Sequence, residues 1–208
     1  MVDVYSVLAV LSAYLLGSLS FAVIVSRVMG LSDPRTFGSK NPGATNVLRS
    51  GSKKAAIATL VLDALKGWLP VWLAQRWAAD MGWGDATVAL VALAAFLGHL
   101  FPVFFRFKGG KGVATAAGVL FGVGWVLGVA TLATFAIVVA FTRYVSLASV
   151  VAAVFAPTFY LMGSDVVWVT APPVVVALVA MSALLVWRHS ENINRLIQGK
   201  ESRLGSKK

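Results

Sequence analysis

The sequence predicts an all-α integral membrane protein with seven transmembrane helices, the N-terminus outside and the C-terminus inside. Three observations carry that expectation. Of the 208 residues 59% are hydrophobic and 12% charged, about half the charged fraction of soluble domains, and the mean hydropathy is +0.83. The apolar residues fall into runs long enough to cross a bilayer, which takes about 17 to 25 residues per helix. Period-2 alternation is missing, which argues against a barrel and leaves helices, whose backbone hydrogen bonds are satisfied within each segment.

The runs lie at 2–26, 54–77, 86–105, 113–142, 145–163 and 166–187. The first segment, Val2 to Val28, is too long for a signal-peptide core, lacks a basic leader and has no small-residue cleavage site after it, so it is read as a true helix. The run 113–142 is long enough to fold back on itself. Gly118, Gly122, Gly124 and Gly128 within it make a tight reversal near Phe121 to Trp125 cost little.

Charge decides between one crossing and two. With the reversal, one side holds Arg27, Arg35, Lys40, Arg49, Lys53 and Lys54, then Arg106, Lys108 and Lys111, then Arg143, then Arg188, Arg195, Lys200, Arg203, Lys207 and Lys208. Lys66 stays within a span and Arg76 near the outer end. A single crossing would split these charges between the two sides, against the excess of Lys and Arg in cytoplasmic loops. The connections on the other side, around Ala78 to Asp85 and Gly163 to Asp165, read as plain turns, and the chain 1–208 reads as a single domain.

The net charge of +10 would suggest nucleic acid in a soluble protein. In a membrane protein basic cytoplasmic loops account for it, and no nucleic-acid partner is expected. With no Cys the chain has neither a disulfide nor a thiol nucleophile. Two His and eight scattered acidic residues make no metal-ligand cluster, so no metal and no cofactor are expected.

Three segments keep glycine and polar residues at span ends: GSKNPGATNVLR (Gly38 to Arg49), FKGGKGVAT (Phe107 to Thr115) and RHSENINRL (Arg188 to Leu196). With seven spans all three meet the same face. In the first, Pro42 and Gly43 break any helix. Peptide N–H groups beside Ser39, Asn41, Thr45 and Asn46 can surround an anion, and Arg49 adds a bidentate fork; an ordinary loop turn is the other reading.

The second segment has the character of a phosphate loop at Gly109, Gly110, Lys111 and Gly112 without the spacing of a nucleoside-triphosphatase loop. Lys111 opens a helix whose N-terminal dipole adds to its attraction for phosphate; a basic flank to a span is the other reading. In the third, His189 and Asn192 stand at i, i+3 and share a face if the last helix extends past the membrane. A histidine there can exchange a proton at neutral pH, or its ring can be tied to a neighbouring carbonyl. His99, in GHLFPVF, reads as structural. Asp63 and Lys66, also i, i+3 but inside a span, read as a pair that stays outside the site.

These segments, together with RYVSLAS (Arg143 to Ser149), resemble the bacterial acyl-phosphate:glycerol-3-phosphate acyltransferase family over about Gly17 to Gly199. Lys40 stands where a small or polar residue is typical. The resemblance implies a seven-helix fold in the bacterial inner membrane with a periplasmic N-terminus and a cytoplasmic site. It places Ser39, Arg49, Lys111, Ser149, His189 and Asn192 at family site positions. It also implies transfer of a fatty acyl group from acyl phosphate to the 1-hydroxyl of glycerol 3-phosphate, giving lysophosphatidic acid and phosphate, the first step of phospholipid synthesis. The acyl chain is expected to lie between helices in contact with membrane lipid, and the enzyme supplying acyl phosphate is a further expected partner. Other glycerol-phosphate acyltransferases carry a His and an Asp with four residues between them. Here Phe104 stands at that place after His99 and Asn194 after His189, so thioester donors are less expected. A small transporter of an organic phosphate is the alternative; it would need polar residues through both leaflets, and here they gather on one side.

Overall fold

A computed structural model describes residues 3–205, so the start of the first run at Val2 and the basic residues Lys207 and Lys208 lie outside the described residues. Among the described residues the chain is helical, with one isolated bridge between Ser164 and Trp168 and no named strand.

The first run is broken. α1 (Val4–Gly17) and α2 (Phe21–Val28) meet at a 47° bend, which corrects the expectation of one helix. Asp3 starts α1 by accepting the Ser6 N–H at 2.6 Å. At the other end the Ser18 hydroxyl turns back to donate to the Tyr14 carbonyl at 2.8 Å, a local bond that competes with helix continuation. The Leu19 carbonyl freed at the bend accepts from Lys66 Nζ at 2.6 Å. The partner that stabilises the break thus lies 47 residues away, where run length gives no sign of it.

α3 (Ala44–Leu48) is a short turn of helix inside the first glycine loop. α4 (Lys53–Met81) opens on the Ser52 hydroxyl, which accepts from Ala55 N at 3.2 Å, and closes on Gly82 at φ 64°. Its 29 residues reach about 43 Å, longer than the hydrocarbon core of about 30 Å. α5 (Asp85–Leu100) is the central helix, packed against α1 and α4 and burying Phe96 and Leu100 completely.

A 3-10 turn (Val103–Phe105) leads to α6 (Val113–Val123) and α7 (Trp125–Thr142), and the chain reverses between these two at Gly124, inside the interval expected from its glycines. The Phe121 ring folds against Gly128 across the turn. α6 has only 11 residues, about 16 Å, shorter than the hydrocarbon core of about 30 Å. Its last carbonyl, Val123, is satisfied by the Gln75 amide at 3.0 Å. α6 lies beside α4 at backbone contact: a Cβ on Gly118 would run into the Ala64 carbonyl, and one on Gly67 into the Thr115 carbonyl. Lipid supplies no hydrophobic drive between helices, so such close approach through small residues is what holds them.

α8 (Val145–Met162), α9 (Pro172–Arg188) and α10 (Ser190–Ile197) complete the chain. Four helices (α4, α5 extended to Phe105, α7 and α8) are long and apolar enough to cross a membrane singly, and the bent pairs α1 with α2 and α9 with α10 pass that test together. The fold is therefore that of an all-α integral membrane protein. At one end Trp83, in the α4–α5 turn, donates to Asp3 at 3.3 Å. The two glycine loops, the Arg143 turn and the segment after Arg188 collect at the other.

Candidate active site

The first glycine loop is closed around Asn46, which is buried. Its amide nitrogen donates to the Pro34 carbonyl at 2.6 Å and the Phe37 carbonyl at 3.2 Å, and its oxygen accepts from Ser39 N at 3.1 Å and Arg49 Nη1 at 3.3 Å. With all four of these bonds made inside the loop, Asn46 sets its shape. Ser39 and Arg49 are left exposed on its rim. The chain turns through the left-handed region at Gly38 and Lys40, φ 58° and 55°, and such a φ favours Gly or Asn, the physical reason Lys40 is atypical.

The second loop and the turn before it touch the first loop and the residues leading into it. The Arg35 guanidinium lies over the Phe105 ring, 5.7 Å from its centre. The Pro42 carbonyl stands 2.9 Å from where a Cβ on Gly110 would be. Gly109 and Gly110 are buried, and Arg188 clamps both by donating to the Gly109 carbonyl at 2.8 Å and the Gly110 carbonyl at 3.2 Å. The third segment is thereby fastened to the second, and Lys111 follows directly on the clamped pair.

Lys111 Nζ donates to Asn192 Oδ1. The Asn192 amide nitrogen donates in turn to Glu201 Oε1 at 2.6 Å, an oxygen that also accepts from the Ser146 hydroxyl at 2.8 Å. Arg195 Nε donates to Glu201 Oε2 at 2.7 Å. Gly199, at φ 67°, ends α10 and turns the tail back so that this carboxylate reaches the site. Leu204 N–H then donates to the Arg143 carbonyl at 2.7 Å, tying the tail to the α7–α8 turn. Ser149, buried, is bonded to the Val145 carbonyl at 2.8 Å; it stands one turn from Ser146 on the same face.

His189 corrects one expectation. It is not on a helix that runs straight to Asn192: α9 stops at Arg188 and α10 leaves at 57°. The ring is buried, with Nδ1 at 2.8 Å from the Leu185 carbonyl. A carbonyl only accepts, so Nδ1 carries the proton and Nε2 is left as an acceptor.

Burial pushes the His189 pKa down to about 4, with the Lys111 charge acting the same way and the Leu185 hydrogen bond opposing both. The ring is neutral at physiological pH. Burial also pushes Lys111 down to about 8, helped by the Arg195 charge. Burial works to raise the Glu201 pKa, but the hydrogen bonds from Asn192, Arg195 and Ser146 outweigh it and hold the carboxyl below its usual range. The pair Asp63 and Lys66 forms as expected, at 2.8 Å.

Glu201, Ser146 and Arg188 belong to the network, and reading the sequence missed them. Glu201 is a single acid among Lys200, Arg203, Lys207 and Lys208; an isolated carboxylate in a basic tail was the available sign that it is paired.

The chain matches the family model described as glycerol-3-phosphate acyltransferase over residues 7–199. It is 65% identical to the glycerol-3-phosphate acyltransferase of Albidiferax ferrireducens, covering 96% of this chain and 89% of that one. With the one from Paraburkholderia phymatum the identity is 62%, over 94% and 91%. The crystal structure of PlsY (YgiH), an integral membrane glycerol 3-phosphate acyltransferase in its glycerol 3-phosphate form, superposes with a TM-score of 0.88 at 39% identity, covering 97% of this chain and 96% of that one. Its lysophosphatidic acid form gives 0.86 at 38%, with the same coverage. The motifs, the one-ended site and these likenesses agree: the chain belongs to the glycerol-3-phosphate acyltransferase family.

Proposed function

We propose that this chain transfers a fatty acyl group from acyl phosphate to the 1-hydroxyl of glycerol 3-phosphate, giving lysophosphatidic acid and phosphate. The observation that carries the reading is the joining of two glycine loops and the tail segment at one end, around Lys111, Asn192 and the Arg188 clamp. Both substrates bear phosphate, and a site for two such groups needs several cationic and N–H donors. Lys111, Arg49 and Ser39 bind and neutralise the phosphates, Gly109 and Gly110 shape the loop that presents Lys111, and Ser149 lines the same side. Asn46 keeps the first loop in shape.

Acyl phosphate is a mixed anhydride whose leaving group is already good. The hydroxyl oxygen attacks the acyl carbon, the bond to the phosphate oxygen breaks, and the hydroxyl proton ends on phosphate. His189 Nε2 accepts the hydroxyl hydrogen bond and aims it; with a pKa of about 4 the ring is a weaker base than a phosphate dianion, whose pKa is about 6. Asn192 positions substrate beside Lys111 and faces the developing oxyanion. The acyl chain lies among lipid-facing helices.

The same reading puts the site at the cytoplasmic face of the bacterial inner membrane, with seven spans, the N-terminus outside and residues 1–208 acting as one domain. Basic residues in both loops and the tail support it. The native chain has no Cys, so single cysteines replacing Lys108 and Asp85 report cleanly: impermeant reagent added outside is expected to label Asp85→Cys and spare Lys108→Cys. Reversed labelling contradicts the orientation.

The enzyme supplying acyl phosphate is the expected upstream partner. The test of the reaction is purified protein with labelled glycerol 3-phosphate and either acyl phosphate or an acyl thioester. Organic-soluble label is expected with acyl phosphate alone. No such product, or equal product from the thioester, overturns the proposed donor.

A further inference from the structure

The polar cluster beneath the second glycine loop has no role in the reaction as drawn. Asp63, Lys66 and His99 are buried, and Thr115 is fully enclosed. Lys66 Nζ bridges Asp63 Oδ1 at 2.8 Å and the Leu19 carbonyl at 2.6 Å. His99 Nδ1 lies 3.1 Å from Thr115 Oγ1 and 3.7 Å from Asp63 Oδ1. The cluster therefore ties the α1–α2 bend, α4, α5 and α6 to one imidazole. Charged groups inside a membrane protein are costly and mark a function by default.

What His99 touches on its other side is the site. The Gly110 N–H donates to the His99 carbonyl at 3.2 Å. A Cβ on Gly110 would strike His99 Nε2, and one on Gly109 would strike the His99 carbonyl. The two glycines are held between this histidine below and the Arg188 guanidinium above, with the Pro42 carbonyl of the first loop alongside. Lys111 extends from that sandwiched pair.

We propose that His99 is a positioning residue: its ring, fixed by Thr115 and the Asp63–Lys66 pair, is the floor that sets the Gly109–Lys111 loop for phosphate. This rests on the acyltransferase reading. A group placed about 1 Å wrong can cost about 100-fold in rate. His99→Ala is expected to raise the KM for glycerol 3-phosphate at least about tenfold with a smaller change in kcat, because the loop that holds phosphate has lost its floor. Gly110→Ala is expected to do the same by pressing on the ring and on the Pro42 carbonyl, and His99→Ala with Gly110→Ala to cost less than the two single changes together, since the ring is then no longer there to be struck.

A merely structural histidine would lower the yield of active protein and leave KM where it was. Thr115→Val, which removes only the bond to Nδ1, is the second arm if His99→Ala does not fold, with a KM rise of about threefold expected. Wild-type KM in Thr115→Val, or in a folded His99→Ala, overturns the proposal, as does strict additivity in the double variant. If the wild type itself forms no lysophosphatidic acid, the reading of the reaction falls instead.

Discussion

Replacing Lys111 by Ala is expected to lower acyl transfer by about 100- to 1,000-fold, the usual cost of removing one charged donor from a preorganised anion site. The chain should stay folded and inserted. Asn192 keeps its bond to Glu201, and the loop keeps its Arg188 clamp. The pH dependence follows from the same residue. Burial lowers the Lys111 pKa to about 8, so the free enzyme loses this charge as pH rises through that value. kcat/KM, which reports the free enzyme, is expected to fall above about pH 8. Lys111→Arg keeps its charge at any such pH and is expected to lose that limb. A limb unchanged in Lys111→Arg would mean that another group titrates there.

The second large effect is at His189. His189→Ala is expected to reduce kcat by about 100-fold, the lower end of what a positioned proton-handling group contributes. The Nδ1 bond to Leu185 presents Nε2 as an acceptor, and the pKa near 4 makes the ring a poor base. His189→Gln can offer an amide oxygen in the same direction, and is expected to recover about tenfold of the loss. Recovery by Gln supports aiming of the hydroxyl; Gln as inactive as Ala would show that His189 removes the proton itself.

Most span limits could be read from hydropathy because exposure to lipid is a local property of each segment. The run 54–77 became α4 (Lys53–Met81), and 145–163 became α8 (Val145–Met162). The reversal at Gly124 was legible from glycine spacing and from charge. The α1–α2 bend was not, because it depends on Lys66 meeting the Leu19 carbonyl. The shortness of α6 follows from the reversal at Gly124, since the run opens at 113; what satisfies its end was hidden, because the partner, Gln75, lies on another helix. The residue types in the glycine loops pointed to the anion site proposed for them. Glu201 and Arg188 did not announce themselves, since what matters is which distant atoms they reach. His99 read as structural because the role inferred for it lies in its contact with Gly110, which no spacing encodes.

The central claim is that one small site holds both phosphate-bearing substrates together, so the acyl group passes directly between them. Initial rates of the purified protein, measured while acyl phosphate and glycerol 3-phosphate are varied against each other, test it most directly. Intersecting lines are predicted, with no phosphate released and no acyl group on the protein when acyl phosphate is supplied alone. Parallel lines with a stable acylated protein would contradict it.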